Sequence, residues 1–232
     1  GTYDLPIPRE DDRILLVAPN IDSFGEDWSI PKEDLRLWIC LHEVTHHAVL
    51  GIPHVRKNLS GLLTQHAESF SNDPSVIQDQ LGEIEIGEGL EGLASLENVL
   101  NPEMVLGAVR SPQQEALLPY LEALVAVIIG FVDYTMDRIG NDLIPSYPMM
   151  TEALRRRRVE TGEAERFVEK ILGLNLTQEQ VDRGVSFIGG VVERADSKGL
   201  DRLWVDESNL PTPSEVDAPG LWLARLDLET GD

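Results

Sequence analysis

Apolar positions in this chain recur at intervals of three and four residues over most of its length, the spacing of helices that pack through one face. Residues 31 to 50 form the clearest such segment. Pro31 suits a first-turn position, Glu33 and Asp34 place negative charge at the N-terminal end, and Gly51 followed by Pro53 supplies a stop. Leu35, Leu37, Trp38, Ile39, Cys40 and Leu41, then Ala48, Val49 and Leu50, make it apolar nearly all round, which predicts a buried helix. A second helix carries Leu59, Leu62, Leu63 and Phe70 on one face. Residues 112 to 139 read as a long helix, with Ser111, Pro112 and Gln114 in a capping box and Gly140 at the end. Its stretch from Ala123 to Val132 is ten residues without a charge, too short to span a bilayer and suited to a central core helix. Further helices are predicted over about 149 to 172, ended by Gly173, and about 178 to 197, opened by Thr177 with Gln180 in a capping box. Thr212-Pro213-Ser214-Glu215 begins a short one.

Two stretches depart from this pattern. Arg13-Ile14-Leu15-Leu16-Val17-Ala18, closed by Pro19-Asn20, reads as one short buried strand. Residues 82 to 98, rich in glycine and glutamate, break the helical spacing and read as an acidic linker in preference to a flap. The Pro-Thr-Pro segment near 211 is a turn, and no internal repeat is visible. The fold class that follows is mainly α with a small β element (α+β). At 232 residues the chain can form one domain over 1–232, or two packed subdomains over 1–145 and 146–232.

Candidate chemistry sits on the first strong helix. His42-Glu43-Val44-Thr45-His46 is an HExxH sequence. A helix repeats every 3.6 residues, so His42 and His46 point from one face and can grip one zinc ion. Glu43, beside the first ligand, is placed to take a proton from a zinc-held water rather than to bind the metal. Burial makes two imidazoles and a carboxylate costly unless something satisfies them, and a metal would do so.

A catalytic zinc usually takes three protein ligands, and the sequence offers several candidates for the third. His47 points about 100 degrees away from His46 on the helix and reads as a supporting or surface residue. His54 follows the Gly51-Ile52-Pro53 break, too early for the longer metzincin spacing, which is absent. His66 reads as a hydrogen-bonded, partly buried core histidine. On the long helix, Asp133 ends the apolar run with Asp137 one turn later on the same face. Asp133-Tyr134-Thr135-Met136-Asp137 resembles the gluzincin plan, an acidic ligand on a second helix supported by another acid four positions on, with aspartate in place of the usual glutamate. Asp133 is therefore the leading third ligand, with Asp137 and His54 as alternatives. The plainer reading pairs both aspartates with Arg138 or another basic residue. Tyr134 could donate to an oxyanion only if it faced the metal, and it is rotated about 100 degrees from Asp133.

The sequence from Asp34 through His46, the Gly-Phe-Val-Asp-Tyr-Thr-Met-Asp segment at 130 to 137, and the run from Arg155 through Leu172-Gly173-Leu174 to Leu203-Trp204, Leu210-Pro211-Thr212 and Trp222 resemble the zincin-like metallopeptidase type 2 family. The resemblance covers most of the chain. It implies a zincin-like helical core, a hydrolase whose substrate is not established, and for some members an association with biosynthesis of a deazaflavin coenzyme. It also suggests that the predicted strand holds an extended substrate. Members commonly carry an acid before the glycine where this chain has Ile129-Gly130. If that acid is the family's ligand, this chain has lost it.

Composition narrows the partners. A net charge of −22 disfavours nucleic acid and anionic membrane surfaces and would favour a basic peptide if the charge lies near the cleft. The one basic run, Arg155 to Arg158, covers every side of a helix and reads as solvated, with a substrate carboxylate as its minor alternative. Cys40, the single cysteine, excludes an internal disulfide, fits a reducing cytoplasm and reads as a buried structural thiol. No signal peptide or membrane span is visible, although a first residue of Gly1 rather than methionine leaves room for a preceding segment. The predicted activity is zinc-assisted hydrolysis of a peptide or other small amide, with His42, His46 and Asp133 on the metal and Glu43 as general base and then acid. The alternative from another class is a metal-binding or interaction protein that keeps the scaffold without turnover.

Overall fold

The computed structural model describes residues 1–9, 11, 13–69, 111–159, 168–169, 171–174 and 176–230. The acidic segment at 82 to 98 lies outside them, as do Phe70 and residues 160–167 of the helix expected over 149 to 172. Among the described residues there are eight α-helices: α1 (Ala18–Asp27), α2 (Lys32–Leu50), α3 (Pro53–Glu68), α4 (Pro112–Leu143), α5 (Tyr147–Val159), α6 (Gln178–Gly199), α7 (Pro213–Asp217) and α8 (Pro219–Thr230), with two 3-10 turns between α6 and α7.

The long helix α4 is the hub. Leu121, Leu124, Val125, Ile128 and Ile129 pack with Val49 and Leu50 of α2 and with Val55 and Leu59 of α3. Ala123 and Val127 meet Phe187, Ile188 and Val191 of α6 and Trp222 of α8. Val132 and Met136 meet Leu35 and Trp38 of α2 and the start of α5. Three apolar clusters thus share one helix, which explains why its uncharged middle is buried on every side. The helix is longer than the ten-residue run suggests. By length and composition it could cross a membrane, and its enclosure by neighbouring helices is what marks it as a core element.

Two local devices fix its position. Ser111 and Gln114 form the expected capping box, with Oγ accepting from the Gln114 N–H at 3.1 Å and Gln114 Oε1 accepting from the Ser111 N–H at 3.0 Å. The same Gln114 donates its side-chain amide to His66 O at 3.3 Å, tying the end of α3 to the start of α4. Further along, Gly130 meets Gly184 of α6. A Cβ on either would collide with the other helix's backbone, Gly184 for one and Ala126 O for the other. The two helices cross at a distance that only glycine permits.

Several expectations are corrected. Residues 13–17 are not a strand, Ala18 already belongs to α1, and no strand occurs among the described residues. A lone apolar run needs a neighbouring strand for its backbone groups, and here the bonds go instead to the Thr2 hydroxyl, which accepts from the Leu15 N–H at 2.6 Å, and from Asn20 and Ile21 of α1 to Val17 O. Leu15 is 61% exposed rather than buried. α2 is not buried all round either: Val44 is 55% exposed and Leu37 and Cys40 also face outward, on the stripe that carries Glu33 and Arg36. Cys40 is therefore an exposed thiol. α4 runs one turn past Gly140 to Leu143. Thr177 precedes α6 as expected but makes no side-chain cap, and the helix breaks at Ala195 and Asp196, where Asp196 has φ 57°. Gly173 does end its segment, in the left-handed region at φ 69°, with the His66 ring packed against it.

Candidate metal centre

The inward face of α2 carries the HExxH residues. His42 and His46 stand one turn apart with ring centroids 4.4 Å apart. His46 Nδ1 lies 3.2 Å from His42 O. A carbonyl only accepts, so Nδ1 carries the proton in this contact and Nε2 is the unprotonated nitrogen. Trp38, one turn before His42, stacks on its ring at 4.6 Å and 19°, which restricts the imidazole's rotation. Glu43 is 2% exposed. Its Oε2 accepts from the Tyr3 N–H at 3.0 Å. Burial pushes the Glu43 carboxyl above the usual carboxylate range, and the Tyr3 amide opposes that shift without cancelling it.

A second polar row braces α2 against α4 and α5. Asp34 Oδ2 accepts from the Ser146 N–H at 3.0 Å and its hydroxyl at 2.6 Å. Tyr147, packed on Gly140 and in one cluster with Trp38, donates to Asp137 Oδ1 at 2.7 Å. Burial and the Asp137 carboxylate both push the Tyr147 phenol well above its usual range. Asp133 is half-buried on the same side of α4, near enough to Tyr147 to add to that shift. Trp38 clusters with Val132 and Met136, whereas Val49 clusters with Val125 and Ile129. α2 and α4 therefore run antiparallel, and the stretch 129–133 passes at the level of the two histidines. Ile129 fills its place there as a buried apolar side chain.

The other candidates lie elsewhere. His47 Nδ1 meets the Tyr3 hydroxyl at 2.9 Å, a supporting contact beside the HExxH face. His54 opens α3 close to Asp206, whose carboxyl it helps to lower after the Ser208 amide and hydroxyl. His66 is fully buried against Gly173, deeper than its sequence suggests. Tyr134 packs with the α6 and α8 cluster and accepts from Arg138 at 3.2 Å, so it faces away from α2. Arg155 and Arg156 both bond Glu152, at 3.0 and 2.7 Å, and Arg157 lies over the Phe24 ring. The residues that the sequence did not flag are Tyr3 and Tyr147, whose contacts come from distant chain segments. Trp38 was legible in principle, four positions before His42.

For zinc, the two imidazoles fit: they share a face with ring centroids 4.4 Å apart, and the hydrogen bond to His42 O fixes the His46 tautomer whose Nε2 is the basic nitrogen. A complete shell is not assembled, because no three histidine, cysteine or acidic side chains gather to hold a metal among the described residues.

These observations define a helical protein with an HExxH helix packed antiparallel to a long core helix. The chain belongs to the zincin-like metallopeptidase family, whose profile matches residues 1–223. A crystal structure of a candidate hydrolase with a novel fold from Chloroflexus aurantiacus is similar, with a TM-score of 0.63 and 26% identity over 91% of this chain. The chain spans 58% of that protein's length. A comparison with curated proteins gives no match.

Proposed function

We propose that the protein is a zinc-dependent hydrolase acting on a peptide or another small amide. One observation carries this reading: a buried glutamate between two histidines whose rings stand together on one helix face. His42 and His46 would hold the ion, and Asp133, the acid on the stretch of α4 that runs beside them, is proposed for the third position. Zinc, when bound, acidifies a water molecule and polarises a carbonyl oxygen. Glu43 takes the water's proton and delivers it to the leaving amine. Its raised affinity for a proton suits that double task, because a more acidic carboxylate would take water's proton less readily. Trp38 keeps His42 from turning, and the Asp34, Ser146, Tyr147 and Asp137 contacts hold α2 and α4 in register. Where the net charge of −22 lies near the cleft, it would favour a basic peptide over an acidic one.

The second reading is a scaffold that binds metal without turnover, favoured by Ile129 at the level of the histidines. Metal analysis of protein purified without added zinc tests the common part of both. The expected result is about one zinc per chain, lost in His42→Ala and His46→Ala and weakened about 10- to 100-fold in Asp133→Asn. No zinc in the wild type would overturn both readings.

A further inference from the structure

Residues 1–7 lie across the chemistry. Tyr3 is 4% exposed, and its backbone N–H donates to the carboxylate of Glu43. Its ring lies parallel to that of His46, at 13° with centroids 6.0 Å apart, and its hydroxyl meets His47 Nδ1. Leu5 and Ile7 pack behind it on the cluster that holds Val49 and Leu50. A peptide N–H directed at the general base is the position of the amine leaving a cleaved amide, the group to which Glu43 must pass a proton. The side chain attached to that nitrogen is an aromatic ring with a hydroxyl, closed in by two imidazoles. An apolar body with one polar tip needs such a setting, dry around the ring and hydrogen-bonded at the end.

We propose that the pocket filled by Tyr3, between Glu43, His46 and His47, is the subsite for an aromatic, tyrosine-like residue on the amine side of the bond cleaved, and that residues 1–7 occupy it as an internal competitor. This rests on the assignment of Glu43 in the proposed function. A tethered segment competes at an effective concentration of about millimolar, so an incoming peptide gains access when the segment lifts. The segment is held by the Tyr3 and Thr2 amides on Glu43, the Tyr3 hydroxyl on His47, the Thr2 hydroxyl on Leu15 and the packing of Leu5 and Ile7, none of them a bond within α2, so it opens locally without unfolding that helix.

The test uses the full chain and the labelled peptide acetyl-GTYDLPI, followed by fluorescence anisotropy without added metal. Tyr3→Ala, verified as folded by circular dichroism, binds this peptide about tenfold or more tighter than the wild type does, and binds the same peptide with alanine for tyrosine about tenfold or more weaker. Folded Tyr3→Ala that binds neither peptide, or both equally, overturns the proposal. Hydrogen exchange on the wild type serves if that variant fails to fold: the Tyr3 amide exchanges about a hundredfold or more faster than the Leu59 amide. Exchange of both at the same slow rate shows Tyr3 to be fixed core and overturns the proposal. Neither readout needs turnover, so peptide binding in a protein that hydrolyses nothing supports the pocket and overturns the hydrolase.

Discussion

Tyr147 and Gly173 show how much a single residue decides. The Tyr147 ring occupies the space that a side chain at position 140 would fill, and its hydroxyl ends on Asp137. Tyr147→Phe removes that bond and is expected to destabilise the fold by about 1–2 kcal/mol in urea melts. At Gly173 an alanine would be strained twice, by φ 69° and by a Cβ 2.8 Å from the His66 ring. A loss of about 1–3 kcal/mol is expected from the same measurement. Glu215 gives a pH dependence. Burial raises its carboxyl, but Arg225 at 2.7 Å and the Thr212 N–H at 2.8 Å outweigh that and hold it below the usual 4.5. A depressed folded-state pKa adds stability that is present above the unfolded value and lost as pH falls through the folded one. Wild type should therefore exceed Glu215→Gln in thermal stability at pH 7, with the gap closing below about pH 4.5. Residue roles set by spacing were legible in the sequence, such as the shared face of His42 and His46 and the reach from Ser111 to Gln114. Those set by distant contacts were not: nothing in the pattern around Tyr3 signals Glu43, 40 positions away.

The helices themselves were largely legible, because their signals are local. Gly51 and Pro53 separate α2 from α3 where expected, and Thr212 with Glu215 opens α7. Errors arose where local pattern competes with tertiary context. The apolar run at 13–18 has strand composition but no strand to pair with, and the apolar composition of α2 did not reveal that its neighbours cover only one side. The crossing of α4 and α6 also escaped, since Gly130 and Gly184 acquire their meaning only when the helices meet. Gly184→Ala forces that crossing apart and is expected to cost about 1–3 kcal/mol, read from the urea midpoint. Because 129–133 lies on the same turns of α4, Gly130→Ala should in addition weaken zinc binding. Unchanged zinc affinity in a folded, destabilised Gly130→Ala would separate the crossing from the site.

Across the whole molecule, α4 links all three apolar clusters, so the stretch beside the histidines is braced from both sides. This gives family membership a physical content: the zincin-like profile spans residues 1–223, which includes α6 to α8 as well as the HExxH helix. The sequence made part of the proposed site legible, His42, Glu43 and His46 within five residues, because one helix turn fixes their shared face. The third ligand proposed here, Asp133, depends on how α4 lies against α2, a long-range relation that spacing cannot supply. The most direct measurement compares zinc-loaded wild type with Glu43→Gln on a peptide mixture, with zinc content determined in both. Zinc should be equal, and hydrolysis should fall by about 10²-fold or more in the variant. Equal hydrolysis in the two, or none in either at full zinc occupancy, would contradict the assignment of Glu43 as the base of a hydrolase.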